Sequence, residues 1–184
     1  MQSSFKSLIV GSAISLLSAA SAVAAEYNFK LHHFLGATSP SHTETIEPWA
    51  RAVEEASGGK VSSEIFPSMS LGGRPPELVG QARDGVVDII WTVNGYTPGV
   101  FPRTEVFELP FVHTNNPGAT NLAMAELFDA ELRDEYKGLE VMFLHVHGGN
   151  GLHTVDTPVY QPADVKGLKI RTPSRTGAWT IEAL

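Results

Sequence analysis

The sequence predicts an α/β chain, and three observations carry that expectation. Stretches that alternate apolar and polar residues take turns with stretches whose apolar residues recur at helical spacing. Glycine or proline punctuates most of the boundaries between them. The 184 residues suffice for a hydrophobic core without covalent staples.

The first strand is expected from Tyr27 to Phe34, where Tyr27, Phe29, Leu31 and His33 alternate with Asn28, Lys30 and His32. A loop follows, and Ser41 with Glu44 has the spacing of a capping box. Ile46, Trp49, Ala50, Val53 and Ala56 then mark a helix closed by Gly58-Gly59, with Pro48 forcing a kink or a second start. Val61–Phe66 reads as the second strand, Pro75-Pro76 opens a short helix ending at Gly85, and Val86–Val93 reads as a third, buried strand. Asn116-Pro117 opens the longest helix, through Tyr136, and Leu139–Val146 is expected as a fourth strand. Leu152–Val159 and Leu168–Arg171 are further strand candidates, and a last helix starts near Thr176.

Residues 1–25 read as an export leader. Lys6 supplies the positive start, Leu8–Leu17 the apolar stretch, and Ala22-Val23-Ala24 the small-residue cleavage pattern. Export from the cytoplasm follows from that reading. The rest of the chain holds no stretch apolar enough to span a bilayer.

Thirteen Lys and Arg face 20 Asp and Glu, a net charge of -7, which argues against a nucleic-acid partner. With no cysteine there is no disulfide, thiolate zinc site, iron–sulfur cluster or cysteine nucleophile. No phosphate-binding loop, nucleophile elbow or dinucleotide fingerprint occurs, so no cofactor is expected. Seven histidines raise one catalytic alternative. His145 and His147 share a face if their segment is a strand, and His32 or His33 could complete a metal site for a secreted hydrolase.

The stretch Gly167 to Gly177 reads as strand, polar loop and helix start. Arg171 stands at the carboxyl end of that strand, and the following helix turns its N-terminus toward the same place. A guanidinium there can grip a carboxylate by two parallel hydrogen bonds, or it can be a solvated strand-edge arginine. Position alone adds further candidates: Phe34 and Trp91 at strand ends, Asn94 and Asn150 in the loops beyond strands, and Arg74 and Arg175 as extra positive charge.

At this point a family resemblance emerges. Trp49-Ala50, Gly58-Gly59-Lys60-Val61, Ile65-Phe66-Pro67-Ser68, Leu71-Gly72-Gly73, Glu108-Leu109-Pro110-Phe111 and Lys166-Gly167-Leu168-Lys169-Ile170-Arg171-Thr172-Pro173 occur in this order. Together they resemble the DctP-type solute-binding proteins of tripartite ATP-independent periplasmic (TRAP) transporters. The resemblance implies a two-lobed periplasmic-binding-protein-like (type II) fold with a small organic acid in the cleft, no catalysis, and delivery to small and large integral membrane subunits. It puts the family's carboxylate-binding arginine on Arg171 and leaves His153 where a second arginine often stands. It covers a little over half of a typical member, so residues 26–150 are expected as a first lobe and 151–184 as the start of a truncated second. A periplasmic sensor or scavenger lobe with no transport partner is the remaining alternative.

Overall fold

The computed structural model describes residues 25–112 and 114–184. The expected leader lies outside them but for Ala25. Three strands, β1 (Tyr27–His33), β2 (Val61–Phe66) and β3 (Ile89–Trp91), form a parallel sheet in the order β2-β1-β3. Tyr27 pairs with Val61 on one side of β1 and Leu31 with Ile89 on the other. The central strand ends in Leu31, His32 and His33, all buried. The third strand is shorter than expected, because the amides of Val86 and Val87 both turn back to the Gln81 carbonyl before the strand can begin.

Between β1 and β2 the chain makes a π turn, Ser41–Ile46, and then α1 (Glu47–Ala56). Pro48 stands in the first turn of α1, where its missing amide costs nothing, and the wider turn before it resolves the expected conflict. The Ser41–Glu44 capping box does not form. Helical winding starts earlier, so Ser39 stands at the entrance and its hydroxyl accepts from the His42 amide at 3.3 Å. Gly58 and Gly59, at φ 65° and 79°, then reverse the chain into β2. A 3-10 turn at Pro75–Glu77 leads into α2 (Leu78–Arg83).

The core centres on Val79, Phe101, Leu132 and Tyr136, with Ile90, Phe107 and Phe128 packed around it. Phe101 stacks on Tyr136 at 4.6 Å between ring centres. The Tyr136 hydroxyl donates to Thr104 Oγ1 at 3.0 Å and accepts from Asn94 Nδ2 at 2.7 Å, so this buried polar group is satisfied. α3 (Pro117–Leu127) begins at Asn116, whose side chain accepts from the Ala119 amide at 3.1 Å. The single helix expected through Tyr136 instead changes pitch, to a π turn at Phe128–Leu132 and a 3-10 turn at Arg133–Tyr136. Those changes of pitch turn Phe128, Leu132 and Tyr136 toward one core.

Leu139–Val146, Leu152–Val159 and Leu168–Arg171 are not strands. Leu139, Val141 and Leu144 pack against the core, but no neighbouring backbone among the described residues offers them a ladder. α4 (Arg175–Glu182) closes the chain, with the Ser174 hydroxyl accepting from the Gly177 amide at 3.2 Å. Among the described residues no helix is long and apolar enough to cross a membrane.

Candidate functional site

In a parallel sheet of order β2-β1-β3 the place for a ligand is outside the carboxyl ends of β1 and β3, neighbours in the sheet that are not consecutive in the chain. The residues that follow these two strands meet there. Phe34 leaves β1 and Tyr96 sits in the 3-10 turn Asn94–Tyr96 after β3, and their rings touch edge to face at 5.3 Å. Beside them, Pro75, Pro76, Tyr96, Arg171 and Pro173 line an open cleft of about 250 Å³. The Arg171 side chain is exposed and makes no hydrogen bond or ion pair among the described residues.

Two acidic side chains hold the halves of this cleft together. α4 packs on the Asn94–Tyr96 turn and on the 3-10 turn Thr104–Glu108. Glu105 is buried and accepts from the Gly99 amide at 2.6 Å and from Arg175 Nη2 at 3.1 Å. Glu108 accepts from the buried Thr176 hydroxyl at 2.8 Å. Its carboxylate also lies against Gly95, so closely that a β-carbon there would overlap both oxygens. A side chain at this position would have to push the Glu108 carboxylate aside. Gly95→Ala should displace the Glu108 carboxylate, break its bond to Thr176 and lower stability by about 1–2 kcal/mol. In a Glu108→Ala background the same change should cost little, and urea unfolding of the four proteins measures that coupling. Equal costs in both backgrounds would contradict the packing.

The other candidate residues have varied fates. Arg175 is taken up by Glu105 and by the Trp179 ring, 4.9 Å beneath its guanidinium. Asn94 is spent on Tyr136, and Arg74 pairs with Glu77 at 2.9 Å. Trp91 donates its indole N–H to His145 Nε2 at 2.9 Å. Asn150 and His153 are exposed, with the His153 ring folded over Gly151, and neither lines the Arg171 cleft. Only Phe34, through Tyr96, is brought toward Arg171. Tyr96 and the three prolines were not singled out by the sequence, although Tyr96 follows a strand end, the position used to select Phe34 and Trp91.

The three-histidine metal set does not assemble. His32 and His33 use both ring nitrogens within the fold, His32 on Gln81 and the Leu71 amide, His33 on His42 and the Leu35 amide. His145 is bonded to Trp91 and His147 to the Gly148 carbonyl. Among the described residues no group of three His, Asp or Glu could hold a metal ion.

Comparison with known proteins decides the family. The profile of the bacterial extracellular solute-binding proteins, family 7 (DctP), matches residues 31–184. The chain belongs to the DctP family. Its α/β fold with a parallel sheet matches about half of the two-lobed TRAP solute-binding proteins. A marine metagenome TRAP solute-binding protein specific for aromatic acid ligands, crystallised with 3-hydroxybenzoate, is 40% identical with a TM-score of 0.82, over 86% of this chain and 49% of that one. A TRAP solute-binding protein from Rhodoferax ferrireducens, in complex with copurified benzoate, is 45% identical with a TM-score of 0.77, over 80% of this chain and 46% of that one. The 2,3-diketo-L-gulonate-binding periplasmic protein YiaO of Escherichia coli is 28% identical over 121 residues, 65% of this chain and 37% of that protein. This DctP-family chain thus spans about half the length of the solved relatives and less of the curated one. The family is one of solute-binding receptors, extracytoplasmic and periplasmic.

Proposed function

We propose that this chain is the ligand-binding part of a periplasmic receptor for a small aromatic monocarboxylate, which it delivers to the integral membrane subunits of a TRAP transporter. The observation that carries the reading is Arg171, an exposed guanidinium with no protein partner among the described residues, beside a wall made of Pro75, Pro76, Tyr96 and Pro173. A carboxylate can take two parallel hydrogen bonds from that guanidinium while an apolar ring lies against the wall. Support for the ligand class comes from the relatives crystallised with 3-hydroxybenzoate and benzoate, at 40% and 45% identity. In this reading residues 1–25 are the export leader, 26–150 the first lobe and 151–184 the start of the second.

Thermal unfolding in the presence of benzoate, 3-hydroxybenzoate, succinate and a neutral control, benzamide, tests it. A ligand bound only by the folded chain at a hundred times its Kd adds about 2.7 kcal/mol of stability. Benzoate or 3-hydroxybenzoate should raise the Tm by several degrees and benzamide should not. The absence of a shift with any acid, or an equal shift with benzamide, counts against the reading.

A further inference from the structure

We propose that Tyr96 is the specificity-determining residue of the Arg171 cleft, the one that selects a planar aromatic ring over a saturated ring of similar size. This rests on the carboxylate-receptor reading above and adds to it the residue that reads the remainder of the acid.

Four observations converge on Tyr96. It is the aromatic side chain that shares the cleft wall with Arg171, the other members being prolines. Phe34 meets it edge to face at 5.3 Å and so limits the positions its ring can take. Its backbone is fixed as well. The Tyr96 amide donates to the Val93 carbonyl at 3.0 Å, closing the 3-10 turn. The preceding Gly95 lies flush against the Glu108 carboxylate, which also holds Thr176 at 2.8 Å, in the first turn of the helix that follows Arg171. Thus Gly95, Glu108 and Thr176 tie the turn that carries Tyr96 to the first turn of the helix that follows Arg171. A ligand anchored at one end by Arg171 cannot slide to find another surface, so its other end is judged by the face that Tyr96 offers.

Aromatic rings gain from offset or edge-to-face contact beyond what buried area alone supplies, by about two- to tenfold in affinity, and a saturated ring lacks the quadrupole for that gain.

Calorimetric titration of the full chain with benzoate and with cyclohexanecarboxylate provides the test. The two acids share charge and approximate size and differ in planarity and π character. The parent should prefer benzoate by about two- to tenfold, Tyr96→Phe should keep that preference, and Tyr96→Leu should bring the ratio near one by weakening benzoate alone. Retained binding of cyclohexanecarboxylate by Tyr96→Leu shows that the variant is folded. If that variant binds neither acid, the ratio is read in Tyr96→Met, whose unbranched chain fills the space more tolerantly. A preference that survives both aliphatic substitutions, or a parent that binds the two acids equally, overturns the role of Tyr96 and leaves the carboxylate reading standing. A parent that binds neither acid overturns that reading, and the role of Tyr96 with it.

Discussion

Replacing Arg171 by alanine should weaken binding of a small carboxylate, by about 2–5 kcal/mol where the bound acid shields the charge pair from water. The side chain is free of internal partners among the described residues, so little of this loss passes through the fold. Arg171→Lys should recover only part of it, because an ammonium group cannot present two parallel donors to one carboxylate. Calorimetry with benzoate separates the outcomes, provided that the Tm without ligand is unchanged. Equal affinity in parent and alanine variant would remove Arg171 from the site. Arg175 should behave differently. Its guanidinium pairs with buried Glu105 and covers Trp179, so Arg175→Ala should act first on stability.

That contrast between two arginines four residues apart marks how far the sequence alone could be read. The Gly-Leu-Lys-Ile-Arg stretch made Arg171 conspicuous, and its local pattern agreed with an anion site at a chain turn. Arg175 looked equally available, since nothing in the neighbouring sequence reveals a carboxylate 70 positions away. The partner of Asn94 is as remote in sequence: the Tyr136 hydroxyl stands 42 residues on. Tyr96 is not legible in the sequence, because a lone tyrosine in a loop carries no spacing signal. Its place in the cleft depends on β3 lying beside β1, which is a fact of topology.

The secondary structure divides along the same line. β1, β2 and α1 could be anticipated because side-chain periodicity and flanking glycines are local properties. Leu139–Val146 has the composition of a strand, and its apolar residues do reach the core, yet a strand also needs a neighbouring backbone. Such a neighbour is supplied by the whole fold and leaves no trace within the segment. The π turn before Pro48 is intermediate: the sequence announced the conflict, while the packing of His42 and Ile46 chose its solution.

The histidines that suggested a metal carry a second consequence, for stability against pH. The Leu35 amide donates to His33 Nδ1 at 3.1 Å, which leaves the proton of the neutral ring on Nε2. That N–H faces His42 Nδ1 at 3.0 Å, and His42 Nε2 then faces the Glu47 carboxylate at 3.1 Å. Every nitrogen has one role, and a proton added to His33 Nδ1 would set two donors against each other. Burial, and secondarily the neighbouring His42 and His32, lower the His33 pKa from 6.5 to about 4. Below about 6.5 the unfolded chain takes up a proton at this position that the folded chain refuses until about pH 4. Stability should therefore be intact above that window and fall through it as the pH drops, by about 3 kcal/mol at most from this group. Carboxylates titrate in the lower part of the same window, so the comparison is with His33→Gln, which cannot take up the proton. That variant should be less stable at pH 7, having lost the relay. Its urea midpoint should also fall less between pH 6.5 and 4 than that of the parent. Parallel pH profiles for the two proteins would show that His33 is not the group whose refusal of a proton sets the acid limit of this fold.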